Sequence, residues 1–202
     1  MTTAANAADS TSDDVYQRMN ELGVATEYQD SLADLIRTGG VPLSNIEGSV
    51  PVSVSSYIQS NWSIEKSIFA DGSVSVIKSE LPQSPLLRGL SGCKVQSGTG
   101  FKNYNGCLIS NNTITTYFGF KADYVTVLTA RDWISSIYDE FVHCYFGSCS
   151  DYKFVLSKKY EDASGPATAK LSTIFVSATG LISSTTSIAL QVGNDLGKVV
   201  VK

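Results

Sequence analysis

The sequence predicts a mainly β protein: an antiparallel β-sandwich or barrel-like domain with a short N-terminal helical segment and a β-hairpin. Three observations predict this class. From Val50 onward, apolar and polar residues alternate with a period of two, as they do in half-buried strands. Short runs of this kind recur between Gly and Asn turns. With 43% hydrophobic and 17% charged residues, the 202-residue chain can bury a core.

The N-terminal part follows a helical period instead. Apolar residues at i, i+4 and i+7 predict a helix over 15–22, with Asp13 or Asp14 as its N-cap. The same spacing predicts a second helix over 28–37. Gly39-Gly40 ends that helix, and Pro42 follows it. Both helices are short and acidic, so we expect them to lie against another element.

The hairpin is predicted by "SIEKSIFADGSVSVIKSEL", in which two alternating runs flank Asp71-Gly72. This pair suits a tight turn because both residues tolerate positive φ. The next segment, "LPQSPLLRGLSG" (81–92), holds two prolines and two glycines, which are typical of a linker. We therefore predict a disordered lead-in or signal-peptide remnant (1–13), a helical leader plus hairpin (14–80), the linker, and a disulfide-bearing antiparallel β-domain (93–202).

Within the β-domain, one element is ambiguous. "ARDWISSIYDEF" (130–141) fits a strand, but Trp133, Ile137 and Phe141 also fit a helical spacing of four. "TAKLSTIFVS" carries apolar residues on both of its alternating faces, which predicts a strand covered on both sides. The candidate strands are 108–110, 113–120, 124–129, 133–138, 141–146, 152–157, Ala167–Ser177, 185–192 and 198–201.

The four cysteines fall into two local pairs, Cys93 with Cys107 and Cys144 with Cys149. Sequence alone permits three connectivities, of which local pairing is the simplest because each pair encloses a loop rich in turn residues. The alternative is a zinc site that combines His143, Cys144 and Cys149 with either Cys93 or Cys107. Its spacing is poor: no C-x2-C pair exists, and neighbours on a strand point to opposite faces. We predict two disulfides and no metal.

Catalysis has few candidates. The chain has one histidine, His143, and lacks a G-x-S-x-G nucleophile elbow. Gly98 and Gly100 are not followed by the residues of a phosphate loop, so no cofactor is predicted. Six acids of the C-terminal half are candidates for carboxylate chemistry: Asp132, Asp139, Glu140, Asp151, Glu161 and Asp162. They are best interpreted as solvated loop residues. Two alternatives stay open: a hydrolase with Asp139-Glu140 as its catalytic pair, and weak calcium binding by Asp151, Glu161 and Asp162.

Aromatic side chains are the remaining candidates for function. A tyrosine-rich sheet face can bind a glycan or a protein, because the ring buries area while its hydroxyl stays hydrated. An ordinary aromatic β-core would use the same residue types. The candidate ligand-binding residues are Tyr104, Tyr117, Tyr124, Trp133, Tyr138 and Tyr145.

Charge and the N-terminus bear on partners and location. Residues 1–50 hold eight acidic and two basic side chains, and no basic cluster exceeds Lys158-Lys159, which argues against nucleic acid as a partner. Ala5-Asn6-Ala7 fits either the trimmed end of a signal peptide or a plain flexible tail. No apolar run reaches the roughly 18–20 residues of a membrane helix. With an even cysteine count, these features favour a secreted or cell-envelope protein.

Several short motifs together resemble a known family. The Asp71-Gly72-Ser73 turn, Ser91-Gly92-Cys93 and the Tyr104-to-Cys107 element lie in the same order as in a family of uncharacterised secreted proteins of Gram-positive actinobacteria. The resemblance implies a cleaved signal peptide and about 100 β-rich residues, and it implies no reaction. The Cys144/Cys149 pair lies outside the shared pattern.

These observations favour a secreted, non-catalytic binding or structural module with an extracellular protein or glycan as its partner. A membrane-active toxin or bacteriocin-like effector is the main alternative. Strands such as "TITTYFGF" and "TGLISSTTSIALQVG" combine Ser/Thr alternation with low charge, as membrane-inserting hairpins do. The secreted hydrolase is the third hypothesis. The sequence makes no prediction of oligomeric state.

Overall fold

Two antiparallel sheets and two helices form the chain in the computed structural model, which describes residues 12–82 and 92–201. The predicted lead-in and linker lie largely outside these ranges. The helices are α1 (Ser12–Leu22) and α2 (Thr26–Arg37), followed by a 3₁₀ turn at Leu43–Asn45. The strands are β1 (Ser53–Gln59), β2 (Trp62–Ile68), β3 (Val74–Glu80), β4 (Lys94–Gly98), β5 (Phe101–Asn112), β6 (Thr116–Val127), β7 (Trp133–Cys144), β8 (Gly147–Lys158), β9 (Ala167–Ser177), β10 (Ser183–Gly193) and β11 (Leu196–Val201).

Sheet 1 has the order β1-β2-β3-β5-β6-β7, and sheet 2 has the order β11-β10-β9-β8. Every pairing is antiparallel, so the predicted fold class is confirmed. Strand β5 is long enough to pair with β4 at one end and with β3 at the other. Because β3 precedes the predicted linker and β5 follows it, both sides of the linker contribute to sheet 1. The division of the chain into domains stays a prediction.

The predicted hairpin is present, and it joins β2 to β3. Its loop runs from Phe69 to Ser73, and Gly72 adopts the positive φ of 79° that the turn requires. The Asp71 carboxylate accepts bonds from the backbone N–H of Ser73 and from that of Leu43 in the 3₁₀ turn. The hairpin is thus tied to the segment that follows the helices.

Two pairs of predicted strands are in fact single strands. The predicted strands 113–120 and 124–129 overlap one strand, β6 (Thr116–Val127), and 133–138 and 141–146 overlap β7 (Trp133–Cys144). The ambiguous segment 130–141 is a strand as well. The apparent interruption is a bulge, in which Asp139 and Glu140 of β7 both lie opposite Phe120 of β6, with Asp139 at a φ of 53°. Bulges shift the apolar alternation without ending the strand.

The main core lies between the two sheets. The register of β5, β6 and β7 places Ile109, Phe118 and Phe120 on one side of sheet 1, which we call its inner face. They pack against Leu171 of β9 and Ile188 of β10. Along β9, every second residue is buried and the others are half-buried, so one face lies in the core and the other is only partly covered, unlike the predicted coverage of both faces. The alternation of β6 therefore directs Tyr117, Lys121 and Val125 to the opposite, outer face.

The helices cover one end of that outer face. Met19 of α1 and Leu32 and Ile36 of α2 pack with Ile64 of β2 and Val74 of β3. Helix α1 therefore buries the apolar stripe that its spacing predicts, while α2 buries Leu32 and Ile36 and leaves Tyr28 exposed. Neither helix in the described ranges is long and apolar enough to cross a membrane.

Arg18 fastens α1 to the corner between β5 and β6. Its guanidinium donates to the side chain of Asn112 and to the carbonyl oxygen of Thr113, the latter at 3.0 Å. The same group lies 4.3 Å from the ring centroid of Tyr145. The side chain is only 12% exposed, so these partners replace water around a buried cation.

Both predicted disulfides are present. Cys93–Cys107, with Cα atoms 4.0 Å apart, ties the start of the β-domain to β5. Cys144–Cys149, with Cα atoms 6.0 Å apart, spans the turn from β7 to β8. Since β7 is an edge of sheet 1 and β8 an edge of sheet 2, this bridge closes the corner where the chain changes sheets.

We predict that removing Cys93–Cys107 destabilises the protein more than removing Cys144–Cys149. The bridges span sequence separations of 14 and 5. The chain-entropy model predicts that the bridge stabilises the folded state by about 3 kcal/mol for the longer loop and by about 2 kcal/mol for the shorter one. Urea unfolding of C93A/C107A and C144A/C149A, compared with the unaltered chain, measures both losses. A larger loss of unfolding free energy in C144A/C149A would show that the position of that bridge between the sheets matters more for stability than the length of the closed loop.

Candidate functional site

Asp132, one of the predicted candidate acids, is fully buried and holds three loops together. Its carboxylate accepts the backbone N–H of Val127 at 2.7 Å and that of Asp195, in the β10–β11 turn, at 2.8 Å. Its own N–H donates to Glu161 at 3.3 Å, and its carbonyl oxygen accepts the N–H of Glu161 at 2.8 Å. Both carboxylate oxygens are thus engaged by backbone, which assigns Asp132 to structure.

Burial raises the pKa of Asp132 above its ordinary value of 3.8. The two backbone N–H donors oppose that shift, and the nearby Glu161 and Asp195 add to it. Desolvation, together with these two neighbouring carboxylates, therefore outweighs the hydrogen bonds.

Glu161 contacts Asp132 and also accepts the N–H of Asn194 at 3.0 Å, whereas the remaining candidate acids lie apart on the surface. Asp162 accepts bonds from Lys158 at 2.6 Å and from Ser164, and Lys158 is the main cause of its lowered pKa. Asp139 pairs with Lys121 at 3.0 Å, while Glu140 and Asp151 are exposed. The described part of the chain contains no group of three His, Cys, Asp or Glu side chains able to hold a metal ion.

His143 lies on the outer face of β7, opposite Tyr117. Its ring centroid is 6.2 Å from that of Tyr117 and 5.8 Å from that of Phe141. The neighbouring Cys144 and all the other cysteines are in disulfides, so the chain offers no thiol as a nucleophile. His143 is an exposed strand residue in an aromatic row.

The six aromatic candidates do not share one face of sheet 1. Tyr104 and Tyr124 are paired on the inner side, where their rings stack at 4.4 Å and 11°. Burial and the adjacent Tyr104 raise the pKa of Tyr124. Tyr145 follows β7 and lies under Arg18 of α1, at the end that the helices cover. Tyr117, Trp133 and Tyr138 lie on strands at the outer face.

Tyr138 is fixed by Asp123. Its hydroxyl donates to Asp123 Oδ1 at 3.0 Å, and the same carboxylate accepts the N–H of Gly106 and the hydroxyl of Ser136, each at 2.7 Å. Burial, with the hydrogen bond to Asp123, raises the pKa of Tyr138 to about 12. This network holds β5, β6 and β7 together beside Cys107.

An open hollow of about 460 Å³ lies around Trp133, and we call it the Trp133 hollow. Register explains its composition: Phe101 pairs with Val127, Asn103 with Val125, and Val125 with Trp133, so all five face the same side. Its lining is largely apolar. The residues that line it are Phe101, Asn103, Val125, Val127, Ala130, Arg131 and Trp133.

The polar groups of the hollow are available to a ligand. Arg131 is exposed, and no carboxylate of residues 12–82 or 92–201 forms an ion pair with it. Phe101 is 46% exposed, so an aromatic ring also faces solvent at the rim. Asp132, which follows Arg131 directly, holds the loop that carries this guanidinium. Rigid support under exposed aromatic and cationic groups is typical of a recognition site.

Sequence reasoning identified Trp133 and missed the rest of the hollow. Phe101, Asn103 and Arg131 come from three different segments, and only the strand register brings them together. A second hollow, of about 510 Å³, lies beside the β8 bulge on the face of sheet 2 that points away from the core. Its lining is more polar and includes Asp151, Lys153 and Ser172. Tyr152 is the aromatic residue there.

The segments considered as membrane hairpins contribute strands to the two sheets. Residues 113–120 lead into β6, and 179–193 contain β10. Phe118, Phe120 and Ile188 are buried between the sheets, whereas Leu181 and Ile182, in the turn before β10, are exposed.

Comparison of the chain with protein-family models, with curated proteins and with solved structures finds no match. The fold defines an antiparallel two-sheet protein with N-terminal helices. The site is accordingly interpreted from its own geometry.

We predict that Asp132→Asn lowers the free energy of unfolding by about 1–3 kcal/mol, because an amide NH₂ would face one of two buried backbone donors. Asp151→Asn is the matched control: Asp151 is exposed, and Asn tolerates its φ of 48°. Chemical unfolding should place this control within about 0.5 kcal/mol of the unaltered chain. Equal losses in both variants would contradict the structural role of Asp132.

The raised pKa of Asp132 also predicts a pH dependence. A carboxyl group whose pKa is higher in the folded state stabilises the protein below pH 3.8, and this contribution is lost as pH rises through the folded pKa. The stability of the unaltered chain should therefore fall relative to that of Asp132→Asn as pH rises from about 4 to about 7. The same stability difference between the two proteins at every pH in this range would contradict the raised pKa of Asp132.

Proposed function

We propose that this protein is a secreted, non-catalytic binding module that recognises an extracellular or cell-envelope glycan through the Trp133 hollow. The observation that carries the proposal is the combination of an exposed aromatic ring and an amide on one sheet face with the adjacent Arg131 guanidinium, which pairs with no carboxylate of the described residues. The two paired disulfides support an oxidising, non-cytoplasmic compartment. The Ala5-Asn6-Ala7 pattern and the resemblance to secreted actinobacterial proteins agree with export.

A glycan fits this chemistry better than a purely apolar ligand. Sugar rings carry an apolar C–H face, which packs on aromatic side chains such as Trp133 and Phe101. Their hydroxyl groups can bond to the amide of Asn103 and the guanidinium of Arg131. The hollow is open rather than enclosed, so a polymer could pass across it.

The acids support binding without turnover. Hydrolysis of a glycosidic bond uses two carboxyl groups that converge on it. Asp132, the acid nearest in sequence to the hollow, has both oxygens on backbone N–H groups. Asp139 is paired with Lys121 in the β7 bulge. The exposed groups of the hollow are donors and rings, which suit recognition.

We predict that Trp133→Ala weakens binding to a responsive oligosaccharide at least about tenfold, because it removes the ring on which the sugar packs. The screen uses a panel of soluble oligosaccharides that includes peptidoglycan-derived fragments. Trp62→Phe leaves Trp133 as the sole tryptophan. Its fluorescence in that background reports ligand at the hollow directly.

Tyr152→Ala is the matched control, since Tyr152 is a 62% exposed aromatic residue on sheet 2. It should bind as the unaltered chain does. Arg131→Ala should weaken binding without changing stability. Failure of the whole panel to bind, or equal losses in Trp133→Ala and Tyr152→Ala, would overturn the proposal.

A further inference from the structure

Strand β1 is an unprotected edge of sheet 1. All seven of its residues, SVSSYIQ, are exposed, and none is charged, Gly or Pro. It pairs with β2 on one side in seven consecutive residue pairs without a bulge. No strand within residues 12–82 or 92–201 pairs with its other side, whose backbone donors and acceptors form the template that another strand recognises.

The other edge strands in the described ranges carry the features that prevent such pairing. Strand β7 is bulged twice, and β8 is bulged twice and contains Asp151 and Lys153. Strand β4 has only five residues and begins at Lys94. Strand β11 carries Lys198 in its middle. Charges, bulges and short length discourage edge pairing, so β1 stands apart from the other edges of the same molecule.

Strand β1 also carries apolar side chains that its own fold does not cover. The helices pack over β2 and β3 and leave β1 outside that core. Val54 is 54% exposed, Tyr57 45% and Ile58 70%. Val54 and Ile58 lie on one face, and Tyr57 lies on the other. A partner strand would bury these side chains and also pair the free backbone groups.

The sequence of β1 is complementary to itself. In an antiparallel pair with a two-fold axis through Ser56, Val54 lies opposite Ile58 of the second copy, and Ser55 lies opposite Tyr57. Both Val–Ile pairs then occupy the same face, where apolar cross-strand pairs stabilise a sheet. The strand is uncharged, so a second copy brings no like-charge repulsion. A charged partner strand would find no complementary charge on β1.

We propose that the protein forms a symmetric dimer in which the two β1 strands pair antiparallel about Ser56, so that sheet 1 continues across both chains. Seven residues per chain make a small interface, and the dimer is therefore weak and dependent on concentration. The contact is five strands away from β7, so both Trp133 hollows stay open. A polymeric ligand could then bind both copies at once and gain avidity.

Sedimentation equilibrium over a range of protein concentrations tests the dimer. The unaltered chain should show a reversible monomer–dimer equilibrium. Val54→Lys should raise the dissociation constant at least about tenfold, since it replaces both apolar pairs and places charge on the edge. Val155→Lys is the matched control, because Val155 is a 47% exposed valine on the bulged edge β8. It should dimerise as the unaltered chain does.

Cysteine cross-linking tests the register. Ser56→Cys should form a disulfide-linked dimer under mild oxidation, because paired residues across antiparallel strands bring their Cα atoms within about 5.5 Å. Ser53→Cys, on the same strand, should not cross-link, since its opposite residue is Gln59. All native cysteines are already paired, so the new thiol is the reactive one.

Three results would overturn the proposal: a monomer at all concentrations, an undiminished dimer in Val54→Lys, or equal cross-linking at positions 53 and 56. A monomer in which β1 becomes protected only on addition of another protein would assign the edge to a foreign strand. The dimer does not depend on the proposed glycan binding. Trp133→Ala should dimerise normally, so the two proposals can fail separately.

Discussion

The packing of β6 against sheet 2 is the contact on which the rest of the structure depends. Phe118 and Phe120 are fully buried between the sheets. Because successive strand residues point to opposite faces, their burial directs Tyr117 and Val125 outward and sets the same alternation in β5 and β7 through the register. The helices cover one end of the outer face. The other end remains open, and it is there that the Trp133 hollow lies.

Polar groups in this protein serve mainly to hold loops in place. Asp132 joins the loops after β6, β8 and β10, Asp123 joins three strands, and Asp71 joins the hairpin to the 3₁₀ turn. Each carboxylate accepts a hydrogen bond from at least one backbone N–H group that lies in a loop or irregular segment and has no strand partner there. Asp132, a catalytic candidate in the sequence, thus fixes the loop that carries Arg131.

The sequence predicts features that depend on near neighbours. The helices, the Asp71-Gly72 hairpin, strand Ala167–Ser177 and the two local disulfides are all confirmed. Bulges at Asp139 and in the β8 strand divided or shortened predicted strands, because a change of phase in the alternation looks like a strand end. The role of Asp132 depends on Asp195, 63 residues away, and the hollow depends on strand register. Local sequence patterns therefore predict neither the role of Asp132 nor the lining of the hollow.

The central claim is that an exposed sheet face binds a sugar and does no chemistry on it. NMR of the protein with an oligosaccharide from the panel tests both halves in one sample. We expect shifts of the Trp133 indole N–H and of the Arg131 and Asn103 signals, with no new sugar resonances from cleavage over days. Cleavage of the sugar, or shifts confined to sheet 2 while the Trp133 indole stays unmoved, would contradict it.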